Sequence, residues 1–300
     1  MLRSVRACFN NVKAPVCGKQ GKKRKISLAD SLMSAIAIFS IKYPSLLKFD
    51  QSRNKDYVKH NLNSLYGIKQ APSDTYVREQ LDEVNPSDLR SAFTLLFSHL
   101  QRGKALEKYA YLNGKYILSV DGTGFFSSKK VFCKNCNQKH HRDGSTTYYH
   151  QILGASIVHP DHKEVIPICP EPIMNADGNA KNDCERNASV RLLKDFRREH
   201  PHLPVIVVED ALASNAPHIR LLQDLNMDFV TVVKPGGNNS LFEWLQGVKM
   251  ETYSFTDKNG ITHKFNFKDT LPINDSNPDL EVNFLEYWTY NRKGKQTYHN

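Results

Sequence analysis

The chain has 300 residues, of which 40% are apolar, so it can bury a sizeable core and wholesale disorder is excluded. Its net charge of +10 is polarised: residues 1–120 hold 20 basic and 9 acidic side chains, whereas residues 121–300 hold 21 and 22. No apolar run approaches a membrane span, no secretory leader is legible at the start, and six scattered cysteines do not make a disulfide scaffold. A basic front that meets a polyanion, a neutral body and a reducing, bacterial-type cytoplasm are expected.

Residues 1–26 read as a basic flexible arm, with Lys22, Lys23, Arg24 and Lys25 as its densest charge run. Such a run is either a solvated tail or a phosphate contact. Residues 27–110 read as helical and as the DNA-binding region. Leu28, Leu32, Ile36 and Phe39 share one face, as do Leu89, Phe93, Leu96, Phe97 and Leu100. Two short helices, His60–Tyr66 and Asp74–Val84, match a helix-turn-helix spacing, and equally that of any small helical domain.

From Tyr111 the period changes. Tyr116–Asp121 is a strand ending on a carboxylate, and Tyr148–His159 and Glu164–Ile168 read as two more. Asp183 opens an amphipathic helix with Ala188, Leu192, Leu193 and Phe196 on one face. Pro204–Asp210 is a near-continuous apolar strand, again ending on carboxylates, followed by a helix at Pro217–Leu225 and a strand at Phe229–Val233. That order predicts an α/β fold, a mixed sheet with flanking helices, over 111–237. Residues 238–300 return to β character, with a hairpin turn at Asn291–Lys295 that leaves little chain for a return strand.

Asp121 and Asp210 end strands expected to be neighbours, where open sheets gather ligands. They are either ligands for Mg²⁺ or Mn²⁺, or strand-end caps. Strand alternation aims the adjacent Glu209 at the opposite face. Cys133 and Cys136, followed by His140 and His141, have the spacing of a structural Zn²⁺ site, with His150 as a spare ligand, or are two thiols in a loop. Cys184 reads as a core thiol at a helix start. Arg186, at the start of that helix, and Lys234, just past a strand end, are candidate DNA phosphate contacts, or ordinary surface charges.

Four segments together resemble the bacterial insertion-sequence transposases of the DDE type, in the IS4-like group. They are Val120–Phe126, Tyr148–Gly154, Asn182–Asn187 and Val207–Ala211, and the similarity runs from about residue 27 to 290. The resemblance implies a ribonuclease-H-like catalytic domain interrupted by a β-rich insertion. It also implies Mg²⁺-dependent cleavage and strand transfer at insertion-sequence ends, with DNA as partner and a homo-oligomer when active. Asp121 and Asp210 match the family's first two acids. The family's third acid, a glutamate on a helix after the insertion, has no match before Asn300, so the chain is expected to be truncated, its insertion incomplete and its catalysis impaired. Neither Glu286 nor Glu185 is expected to replace that glutamate. The alternative is a non-catalytic DNA-binding fragment.

Overall fold

The computed structural model describes residues 1–13, 25–175 and 183–300. Six helices open the chain: α1 (Leu2–Asn10), α2 (Leu28–Ser40), α3 (Leu46–Ser52), α4 (Asp56–Tyr66), α5 (Asp74–Leu81) and α6 (Arg90–Arg102). Their starts follow capping chemistry, as where Ser27 Oγ accepts the Asp30 N–H at 3.0 Å. One apolar core joins them, with Met33, Ala37, Phe49 and Leu62 at its centre.

The first of these helices corrects the reading of residues 1–26 as an arm. Val5 and Phe9, one turn apart, are buried in that core. Arg6 is bound to buried Asp30 at 2.7 Å, and Asp30 also accepts the N–H groups of Lys69 and Gln70. Charge composition concealed an amphipathic helix. Lys22, Lys23 and Arg24 lie outside the described residues, and Lys25 is exposed.

The body is a seven-stranded mixed sheet. Its strands are β1 (Tyr116–Ser128), β2 (Asn137–His140), β3 (Thr146–Val158), β4 (Ile166–Pro167), β5 (Glu171–Ile173), β6 (Val205–Glu209) and β7 (Asp228–Thr231). The order is β2-β3-β1-β6-β7, with β4 and β5 also paired to β3. β3 runs antiparallel to β1, while β6 and β7 run parallel to it and to each other. Parallel neighbours need crossovers, and these are the helices α7 (Glu185–Glu199) and α8 (Ala216–Asp224). Leu192, Leu193 and Phe196 of α7 pack on Leu118, Val120, Val205 and Val207 of the sheet. The mixed sheet with flanking helices behind a helical front, expected from the sequence, is observed.

A helix, α9 (Asn239–Gly247), interrupts the segment expected to be wholly β-rich. Its Leu241 packs on Leu271 and Phe284. A four-stranded antiparallel sheet follows: β8 (Glu251–Thr256), β9 (Thr262–Asn274), β10 (Asn277–Tyr290) and β11 (Gln296–His299), in the order β11-β10-β9-β8. The turn at 291–295 therefore does have a return strand, with Trp288 opposite His299. Ile273 and Leu280 of this sheet share a small core with Ala216 and Ile219 of α8. No helix among the described residues is long and apolar enough to cross a membrane.

Candidate functional site

β1 and β6 pair in parallel with a constant offset of 89 positions, from Tyr116 opposite Val205 to Ser119 opposite Val208. The same offset carries Asp121 onto Asp210, two positions beyond the last pair, on strands about 4.8 Å apart. Both aspartates are exposed, and Asp210 Oδ1 accepts the N–H of Leu212 at 2.9 Å. They line a cleft of about 280 Å³ at the C-terminal ends of the parallel strands, together with Gly122, Glu185 and Arg186.

Glu185 is the residue that sequence reasoning set aside. It opens α7, and the helix crosses the sheet so that its first turn stands over the strand ends. The Glu185 carboxylate lies against the Cα of Gly122, where any Cβ would overlap it. Partial burial, and then the negative charges of Asp210 and Asp121, hold the Glu185 carboxyl above the usual range. The signal was weak in the sequence, because the approach of a helix start to a strand end 64 positions earlier is a tertiary event. Glu286, by contrast, is on β10, with its carboxylate 2.9 Å from His299 Nε2.

Glu209 lines the same cleft but is tied down within it, beside Ser189 and His218. It is buried, accepts Ser189 Oγ–H at 2.9 Å and meets His218 Nε2 at 2.5 Å. Arg186 is exposed on the rim of the cleft, and the Cys184 side chain makes no capping bond to the first turn of α7. Cys184 is exposed rather than a core thiol. Lys234 is exposed on the loop after β7 and does not line the cleft. Asp183, just before α7, would be raised by burial, but bonds from Arg191 and the Cys184 N–H hold it low.

The cysteine loop follows β1. Cys133 Sγ and Cys136 Sγ stand 3.7 Å apart, and His150 Nε2 of β3 lies 3.3 Å from each. Among the described residues this is the one group of three such side chains with donor atoms all within 4.8 Å of one another. His140 and His141 are not part of it. Their ring nitrogens meet Thr146 Oγ1 at 3.0 Å and Thr147 Oγ1 at 2.8 Å. The reason is β2 itself: an extended strand carries His140 about 13 Å from Cys136 at ~3.3 Å per residue. The register instead places Cys136 opposite His150, one step beyond the Asn137–Tyr149 pair.

No family model matches the chain, and no curated protein is similar to it. Among solved structures, a piggyBac transposase synaptic complex with hairpin DNA is similar over 88% of this chain, at 13% identity and a TM-score of 0.35. The chain spans about half of that protein, 54% of its length. A likeness at that score carries no argument about function.

Proposed function

We propose that the chain is a DDE-type DNA transposase, cleaving and joining DNA at insertion-sequence ends with divalent metal ions held by Asp121, Asp210 and Glu185. The observation that carries this reading is the pair of aspartates at one offset, two positions beyond the last β1–β6 pair, with a third carboxylate lodged against Gly122. The donor chemistry suits the group: three carboxylates line one cleft and offer hard oxygen ligands of the kind Mg²⁺ and Mn²⁺ prefer, though their oxygens, not all within 4.8 Å of one another, would have to close on the ions. Along the chain the order is Asp, Glu, Asp, which departs from the order the family resemblance implies.

Bound divalent ions would activate water or a 3′-hydroxyl and stabilise the leaving oxygen of a phosphodiester. The protein's own contribution is placement. Asp121 and Asp210 are fixed by two hydrogen-bonded parallel strands, so their separation is set by the sheet. Glu185 is set by the start of a 15-residue helix whose far end is packed in the core. Arg186 beside them and the positive end of the α7 dipole favour an approaching phosphate. The basic front of the chain, including Lys25, and Lys234 near the second sheet supply further phosphate contacts. The expected partner is therefore duplex DNA, bound with a salt slope of roughly −0.9 per neutralised phosphate.

The test uses duplexes copied from the two flanks of the chain's own coding sequence, incubated with Mg²⁺ or Mn²⁺. Nicking or strand transfer that is absent in Asp121→Asn supports the reading. Binding without cleavage under any metal would leave the non-catalytic alternative. Activity undiminished in Asp121→Asn and Asp210→Asn would overturn the assignment of the site.

A further inference from the structure

A second cluster of side chains able to hold a metal ion lies outside the cleft. We infer that Cys133, Cys136 and His150 bind one zinc ion, which clasps the loop after β1 to the middle of β3. The argument is geometric. Zn–S bonds of 2.3 Å and a Zn–N bond of 2.0–2.1 Å at tetrahedral angles put the sulfurs about 3.8 Å apart and each about 3.6 Å from the nitrogen. The three edges found here, 3.7, 3.3 and 3.3 Å, enclose a hole of that size. Two sulfurs and an imidazole are also the borderline-soft donors that select zinc over Mg²⁺.

Three strands build the hole before any ion enters. His150 lies opposite Phe126 of β1 across one ladder and opposite Cys136 across the other. Its ring stacks on Phe125, with centroids 5.8 Å apart and planes 11° from parallel. The Cys133 N–H donates to Cys136 Sγ at 3.3 Å, and the Cys136 N–H donates to the Cys133 carbonyl at 3.2 Å, closing the two-residue knuckle. Cys136 is buried and Cys133 exposed, so an ion would enter from the Cys133 side. Binding displaces the two thiol protons, and the neutral imidazole donates its Nε2 lone pair.

The role assigned is structural. Residues 129–136 span from one strand to the next with no regular structure of their own, and the ion supplies the cross-link that a small core does not. This inference is independent of the acid cleft, and its test leaves the cleft untouched.

The full chain is purified under reductant without chelator, and its zinc is measured by elemental analysis. About one equivalent is expected, lost in Cys136→Ser and in His150→Ala but retained in His140→Ala and His141→Ala. Should a variant fail to fold, Co²⁺ loading of the wild-type chain gives a second readout. Thiolate-to-cobalt charge transfer with intense tetrahedral bands supports the site, and weak octahedral bands overturn it. Wild-type zinc below about a tenth of an equivalent, and not raised by added Zn²⁺, would reduce the motif to two thiols. Zinc lost in His141→Ala but kept in His150→Ala would overturn the ligand set.

Discussion

The two ends of α7 are built on opposite electrostatic rules. At its C-terminal end Asp195, Arg197, Arg198 and Glu199 all have partners. Arg90 of α6 reaches Glu171, Asp195 and Glu199 at 3.0–3.4 Å, and Arg197 donates to the carbonyls of Leu225, His200, Pro201, Leu203 and Asn226. At its N-terminal end Glu185 faces Asp121 and Asp210, and their negative charges are among what raises it. Fold stability alone does not call for like charges gathered at one cleft, since repulsion among them costs free energy. The difference sets the paired architecture of the C-terminal end against the proposed metal site of the N-terminal end.

The sharpest way to break this contrast is to neutralise one residue at each end. Asp210→Asn is expected to lower metal-dependent DNA cleavage on the order of 10²–10³-fold, with little change in melting. Arg90→Ala does the reverse at the other end. It leaves three carboxylates without their shared cation and is expected to cost about 3 kcal/mol of stability, read from urea unfolding. An Arg90→Ala chain as stable as wild type would remove the architectural half of the comparison.

Protons probe the same helix more gently. His200, just past α7, is buried between Phe97 and Phe196, with ring centroids 4.2 and 5.0 Å away. Burial, helped by Arg197, pushes its pKa down to about 4. The unfolded chain, at the ordinary value of about 6.5, therefore binds the proton more readily than the folded one. Stability is fully present above that value and falls as pH drops toward 4. The loss expected from His200 is about 2 kcal/mol between pH 7 and 5. His200→Leu should remove that share of the slope, and a slope unchanged from wild type would show that His200 is not buried neutral.

The smallest effect separates site from scaffold most finely. Glu185→Gln relieves repulsion in the cleft and is expected to raise stability by about 0.5 kcal/mol while weakening metal binding. A loss of stability instead would place Glu185 among the structural charges.

The parts of this picture that the sequence shows are those governed by local period. Asp121 and Asp210 are legible because each follows an apolar run, although β1 continues past Asp121 to Ser128, and α7 because Ala188, Leu192 and Phe196 recur at helical spacing. The parts it hides depend on what lies across a gap. Glu185 reaches the strand ends only through the crossing of α7 over the sheet. His150 replaces His140 and His141 because β2 is extended and carries both away from the cysteines. In α9, Leu241, Phe242 and Leu245 do carry a helical period, which the surrounding β character masked.

In the proposed function, the carboxylates of Asp121, Asp210 and Glu185 together hold a divalent cation. Mn²⁺ binding to the full chain, followed by the loss of the free-ion paramagnetic resonance signal, tests it without any need for the DNA substrate. Asp121→Asn, Asp210→Asn and Glu185→Gln should each weaken binding about tenfold or more, and Gly122→Ala should weaken it less by displacing the Glu185 carboxylate. Glu286→Gln, on the second sheet, should leave it unchanged. Identical Mn²⁺ titrations for wild type and the three cleft variants would contradict the claim.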